Sequence, residues 1–237
     1  MALKQKDALV LALLIIALVI INYNWIDNAL DNFLNTDEQV HVDRIIDGDT
    51  IESNKTSIRL LGINTPERGE LYYEEAKVFL ENEILNKTIN LKYGKERYDK
   101  YQRVLAYVFL DNVNINLKLV ENGYASYYFY DGRDKYSNAL EDAWDVCIEN
   151  NVNLCQASIN QCAQCIEIIS KDTIINNCDF ECDITDWRIK GEGRDDFLFE
   201  GVLSVDEEIE FELELTPSGD TLFLRDDAGG LVVWESC

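Results

Sequence analysis

Apolar and polar positions follow three different rhythms along this chain, and each rhythm marks a region. The first is an unbroken apolar run, ALVLALLIIALVII, at residues 8–21. At a rise of ~1.5 Å per residue, residues 8–26 reach about 28 Å, enough to cross a hydrocarbon core of ~30 Å as a helix. Lys4 and Lys6 precede the run, Tyr23 and Trp25 fall at interfacial depth, and Asp27, Asp31 and Asp37 follow it. This predicts a transmembrane signal anchor over residues 1–26, N-terminus inside, and a juxtamembrane spacer over 27–38. The competing readings are a cleaved signal peptide, although no small-x-small site follows closely, and a buried globular helix. The first two place the rest of the chain outside the cytoplasm, in a single-pass or secreted protein.

The second rhythm begins at Val40, where VHVDRII, TIES, SIRLLGI, TINLKYG and VLAYVFL read as short strands separated by turn residues, with DNVNIN as a connecting turn. Two stretches switch to helical spacing. In residues 70–85, ELYYEEAKVFLENEIL, the spacing puts Leu71, Ala76, Phe79 and Leu80 near one face; the other stretch is 135–151. Five short strands with a helix between the third and fourth predict an α+β domain built on a five-stranded OB-fold barrel over residues 39–155. The third rhythm starts at Cys165 and is strand after strand. In EIEFELEL, Ile209, Phe211, Leu213 and Leu215 fall on one face and glutamates on the other, as a sheet buried on one side requires. This predicts an all-β sandwich over 165–237, joined to the first domain by a linker at 156–164.

Charge changes the picture of what such a barrel could bind. The net charge is −24, and residues 156–237 hold five basic against twenty acidic residues. That balance argues against nonspecific coating of nucleic acid, whose affinity comes largely from Lys and Arg displacing counterions, and leaves room only for a local basic cleft. All seven cysteines lie at or after Cys147. Cys162-x2-Cys165 with Cys178-x3-Cys182 can be read as two disulfides, the usual state outside the cytoplasm, or as a four-thiolate zinc site. His41, the only histidine, reads as a strand residue, so histidine-based chemistry is not expected.

The candidate chemistry lies in RLLGINTPE, residues 59–67, which gathers a cation, an amide and a carboxylate around a proline-stiffened turn. Together with IDGDT at 46–50 and DKYQRVLAY at 99–107, it resembles the staphylococcal nuclease (thermonuclease) family over residues 40–154. The resemblance implies that Asp49, the carbonyl of Thr65 and the side chain of Asn64 hold a Ca²⁺, a hard cation that takes oxygen ligands. It implies that Glu67 activates the attacking water, and that Arg59 and Arg103 grip phosphate oxygens and neutralise developing charge. Lys100 and Tyr101 match positions beside a terminal phosphate, and Tyr128 and Tyr130 resemble tyrosines that flank a base. The plainer readings are a hairpin turn at Asp47-Gly48-Asp49, a structural Arg59–Glu67 ion pair and ordinary core or surface tyrosines.

Two positions depart from the family pattern. Asn64 replaces a second metal-binding aspartate; it keeps an oxygen but removes a charge, so Asn64→Asp would be expected to tighten cation binding. Gln102 replaces a glycine, which matters only if the position needs φ > 0. Further on, CDITDWRIK and SGDTLFLRDDAGGLVVWES resemble the lamin-tail family, an immunoglobulin-like sandwich, with Asp186 where a glycine is usual before Trp187. The reading that follows is a membrane-anchored, Ca²⁺-dependent nuclease acting on single-stranded or locally melted DNA and on RNA and leaving 3′-phosphate ends. Its rivals are a catalytically silent OB-fold binding protein and a surface attachment protein.

Overall fold

The computed structural model describes residues 38–130, 132–193, 195–215 and 220–236. The predicted anchor, the spacer before Glu38, and Cys237 lie outside the described residues. Among those described, no helix is long and apolar enough to cross a membrane.

The first half is a curled, OB-fold-like sheet. Its strands are β1 (Glu38–His41), β2 (Arg44–Asp47), β3 (Thr50–Ser53), β4 (Thr56–Leu60) and the short β5 (Ile63–Asn64). Helix α1 (Tyr73–Ile84) follows, then β6 (Thr88–Tyr98), β7 (Val104–Leu110), β8 (Val113–Asn114), α2 (Ile115–Glu121), β9 (Ser126–Tyr127) and α3 (Ser137–Asn150). The sheet order is β1-β6-β7-β4-β3-β2, with β8 on β7 and β4 running parallel to β7. β5 leaves the sheet to pair with β9. Ile51, Ile58, Leu60, Ile89, Ala106 and Val108 form one wall of the core, and Leu80, Ile84, Leu140 and Trp144 from the helices close it.

Two expectations are corrected here. Helix α1 starts at Tyr73, not at 70, because residues 67–70 fold into a turn (Glu70 N–H donates to the Glu67 carbonyl, 2.9 Å) and Tyr72 then takes a left-handed φ of 68°. Leu71 therefore misses the buried face and is 52% exposed, while Tyr73, Ala76, Leu80 and Ile84 carry it. The stretch DNVNIN is more than a turn: it ends in the cap of α2, where the Asn114 side chain accepts from the N–H groups of Asn116 and Leu117. Asn116, fully buried, accepts from Val108 N–H and donates to the Leu61 carbonyl, pinning α2 to the sheet.

The second half is all-β. Two short 3₁₀ turns, Asn153–Cys155 and Gln161–Gln164, lead into β10 (Ile166–Ser170), β11 (Thr173–Asn176), β12 (Cys182–Asp183) and β13 (Arg188–Lys190). These are followed by β14 (Asp196–Leu198), β15 (Val202–Leu203), β16 (Glu208–Glu210), β17 (Thr221–Arg225) and β18 (Leu231–Ser236). They form sheets β10-β11-β16, β12-β15 and β14-β13-β17-β18. Cys147 is bonded to Cys155, Cys162 to Cys182 and Cys165 to Cys178, so the four cysteines of the zinc alternative are two disulfides. Phe211 is buried in the second core with Ile209, Leu213 and Leu215 packed on it, although the regular strand is only three residues long.

The four-stranded sheet is covered on both faces. Ile189, Leu222 and Leu224 point into the second core with Trp187 and Phe199. Phe223, between them, points the other way and lies in the first core, 5.1 Å from the Trp144 ring and 6.0 Å from Tyr127. Lys190, paired with Phe223 in the ladder, is carried on that same face. Residues 156–158 also join the second half, since Gln156 and Ser158 bond to Leu231 on β18.

Candidate active site

The turn Asp47-Gly48-Asp49 between β2 and β3 sits directly on α1. A Cβ at Gly48 would come within 2.9 Å of the Ala76 Cβ and of the Thr65 Oγ1, so only glycine lets the turn approach. Asp49 is thereby buried beside β4. Its carboxylate accepts from Thr50 Oγ1 (3.0 Å) and from Thr65 N–H (3.2 Å), and it forms an ion pair with Arg59 Nη2 at 2.8 Å. Arg59, 9% exposed, also donates to the Leu60 carbonyl (2.7 Å) and to Asn64 Oδ1 (3.2 Å). The Asp49 carboxylate and the Asn64 amide oxygen thus converge on one point of positive charge. Burial first, and then repulsion from the charge of Asp49, raise the Asp47 carboxyl above its ordinary range.

An all-oxygen donor set of this kind suits a hard cation. Among the described residues no three Asp, Glu, His or Cys side chains cluster closely enough to hold one by themselves. An ion here would need the neutral oxygens at Asn64 and Thr65 as well as Asp49.

A cleft of about 440 Å³ opens beside this cluster, lined by Arg59, Asn64, Lys100, Tyr101, Arg103, Tyr128 and Tyr130 among others. The structure therefore brings together seven of the ten predicted site residues. Asp49 joins them through Arg59, and Thr65 lines a second cavity of about 350 Å³ that shares Asn64 with the cleft. Glu67 lines neither; it is half-buried on the turn after Pro66, its N–H held by the Glu70 carboxylate at 2.7 Å. Tyr128 and Tyr130 have ring centroids 6.0 Å apart, with Tyr130 58% exposed at the mouth. Burial pushes the Tyr128 phenol up to about 12 although Arg59 draws it down, so it stays protonated.

Sequence reasoning gave no role to Asp99. Its Oδ1 accepts the N–H groups of Tyr101 (2.8 Å) and Arg103 (2.9 Å), and its Oδ2 takes Arg103 Nε at 2.6 Å. Burial alone would raise the Asp99 carboxyl, but these bonds outweigh it and hold it below the usual range. An acid four residues before an arginine, around a tight turn, was the available signal. Glu70, Lys190 and Glu192 were missed as well; apart from the local bond of Glu70 to the Glu67 N–H, their partners are far away in sequence and left a weaker signal.

The profile of the family described as "Staphylococcal nuclease homologue" matches residues 57–156. The thermonuclease of Staphylococcus intermedius is 33% identical over 157 residues, covering 60% of this chain and 93% of that protein. The thermonuclease of Staphylococcus hyicus is 36% identical over 120 residues, 46% of this chain and 71% of its own length. An uncharacterized protein of Methanocaldococcus jannaschii is 31% identical over 173 residues, 58% of this chain and 82% of its own. With this coverage, and with two of the three motifs lining one cleft and the third joined to it through the Asp49–Arg59 ion pair, the chain belongs to the staphylococcal nuclease family.

Proposed function

We propose that the protein is a nuclease that hydrolyses phosphodiester bonds of DNA and RNA with Ca²⁺ as its cation, entering the cleft from single-stranded or locally melted segments. The observation that carries this reading is the convergence of Arg59, Asp49 and Asn64 at the head of a cleft whose walls carry Lys100, Arg103 and two tyrosines. Asp49, Asn64 and the Thr65 carbonyl would hold the ion, which when bound supplies positive charge to a phosphate oxygen. Arg59 and Arg103 present planar guanidinium groups, pre-oriented by Asp49 and Asp99, to the remaining oxygens, where charge develops in the transition state. Tyr128 and Tyr130 would offer ring faces to a base, and Lys100 with the exposed Tyr101 would contact a flanking phosphate, a reading supported by their place on the cleft wall and by the Lys100 ammonium 5.2 Å from the Tyr101 ring centroid. Glu67 would take one proton of the attacking water as its oxygen bonds to phosphorus, and the bond from phosphorus to the 5′ oxygen breaks, that oxygen taking a proton from solvent, which leaves a 3′-phosphate and a 5′-hydroxyl.

The anchor at residues 1–26 and an extracytoplasmic catalytic region belong to the same proposal; the three disulfides suit an oxidising compartment. The second half is assigned as a lamin-tail-like sandwich serving attachment. Asp186, at the position where that family carries glycine, has a φ of 64°, the backbone shape a glycine there would supply. The deciding measurement is release of acid-soluble nucleotide from single-stranded DNA by the full chain, with Ca²⁺ and with EDTA. Glu67→Gln should lower turnover by ~10²–10⁴-fold, the usual contribution of a general base, while DNA binding persists. Turnover within about threefold of wild type would remove Glu67 from the mechanism.

A further inference from the structure

Two parts of the cleft, and the neighbouring turn that carries Glu67, are held from the far half of the chain by the stretch Lys190–Gly193. Lys190 Nζ donates to both oxygens of Glu70, at 2.8 and 3.1 Å, and the same carboxylate takes the Glu67 N–H at 2.7 Å. The backbone of the predicted base is therefore tied through one carboxylate to β13. Two residues on, the Glu192 side chain is 4% exposed. Its Oε2 accepts the Phe129 N–H at 2.9 Å and its Oε1 the Thr221 N–H at 3.1 Å. Phe129 stands between Tyr128 and Tyr130, so this carboxylate fixes the segment that carries both tyrosines. Finally, the main-chain carbonyls of Glu192 and Gly193 both accept from Asn64 Nδ2, each at 3.2 Å.

That last pair of bonds explains an amide where an acid would be expected. With Nδ2 given to two carbonyls, Oδ1 can only face Arg59 and the cation site. An aspartate at 64 would set an anionic oxygen against the same two carbonyl oxygens, with no proton between them, and leave both acceptors unsatisfied. Charge counting from the sequence predicts that Asn64→Asp improves the site; the packing predicts the reverse.

We propose that Lys190–Gly193 is a positioning element of the nuclease cleft, bracing Glu67, the tyrosine pair and Asn64 from the second half of the chain, and that Asn64 is an amide because this brace is there. The proposal rests on the nuclease reading above for its catalytic part and on the bonds alone for its structural part. The second half is thereby a component of the cleft as well as an appendage to it.

The test uses the full chain and four variants: Lys190→Met, Lys190→Arg, Glu192→Gln and Asn64→Asp. Glu192→Gln keeps size but offers one acceptor to two N–H donors. Hydrogen exchange read by mass spectrometry should quicken in peptides spanning residues 62–70 for Lys190→Met and residues 124–130 for Glu192→Gln, while peptides from β10 and β11 keep wild-type protection. On single-stranded DNA, kcat should fall by about 10–100-fold in Lys190→Met, Glu192→Gln and Asn64→Asp with KM within about twofold, as misplacement of reacting groups implies. Lys190→Arg should restore both exchange and kcat. Asn64→Asp should need at least as much Ca²⁺ for half-maximal activity as wild type. Unchanged exchange in Lys190→Met and Glu192→Gln, or an Asn64→Asp enzyme as active as wild type at lower Ca²⁺, overturns the proposal. A wild type that cleaves no nucleic acid, with exchange altered as expected, overturns the function assigned above and leaves the brace standing.

Discussion

Single residues in this molecule are placed by partners that composition does not advertise. Asp99 grips both the backbone and the guanidinium of Arg103 and is held below the usual carboxylate range by those bonds. Its unfolded value is higher than its folded one, so its contribution to stability is present above the unfolded pKa and is lost as pH falls through the folded one. Acid titration of wild type and Asp99→Asn should therefore give stability curves that differ at neutral pH and converge once the pH has fallen through the lowered folded-state value of Asp99. In the same turn Gln102 has a φ of 63°, a conformation that costs a side-chain-bearing residue roughly 1 kcal/mol relative to glycine. Gln102→Gly should raise the unfolding free energy or leave it unchanged, as denaturant melts would show; a loss above about 1 kcal/mol would mean the glutamine side chain has a role of its own.

Elements show where periodicity informs and where it stops. The five main strands, α1 and α3 were legible because their apolar spacing is driven by a single shared core. Helix α2 was not, because seven residues give less than two turns of pattern. Its sequence signal was the asparagine cap before Ile115, Leu119 and Val120, the residues that it buries. Asn114→Ala removes the acceptor for two N–H groups and should cost about 1 kcal/mol, whereas Asn114→Ser, which keeps a capping oxygen, should cost less. In a unit of this size 1 kcal/mol corresponds to a fall in Tm of about 2–4 °C, which thermal unfolding can resolve. The motif residues were legible for a different reason: Arg59 and Asn64 lie five positions apart and one turn brings them to one place, while Glu67, three positions on, falls on the next turn outside the cleft. The brace was invisible, since Lys190 meets Glu70 across 120 positions and Glu192 sits in an acidic half whose charges read as a solvated face.

At the scale of the whole molecule, the two halves share a sheet that serves two cores. Residues 39–237 cluster as one compact unit, and among the described residues Phe223 and Leu231 of the second half lie in the core of the first. Phe223→Ala leaves a hole against Trp144 and Tyr127 and should cost ~3–5 kcal/mol, the range for a buried phenylalanine. Heating followed by near-UV circular dichroism and by protease susceptibility of each half should give one transition in wild type and one, shifted down, in the variant. Two separated transitions in wild type would mean that the halves are energetically independent.

The two-faced sheet also has a consequence for how the protein comes into being. Chains are made from the N-terminus, and early segments usually fold while later ones are still being added. Here the first-made half lacks part of its packing until later residues arrive, because Phe223 and Leu231 lie in its core and Lys190 and Glu192 bond to Glu70 and to the Phe129 N–H. A nascent chain already bearing Arg59, Glu67 and Arg103 stays unfinished until β17 and β18 have left the ribosome. A nuclease is hazardous to the cell that makes it, and this arrangement ties completion of the cleft to the synthesis of β17 and β18.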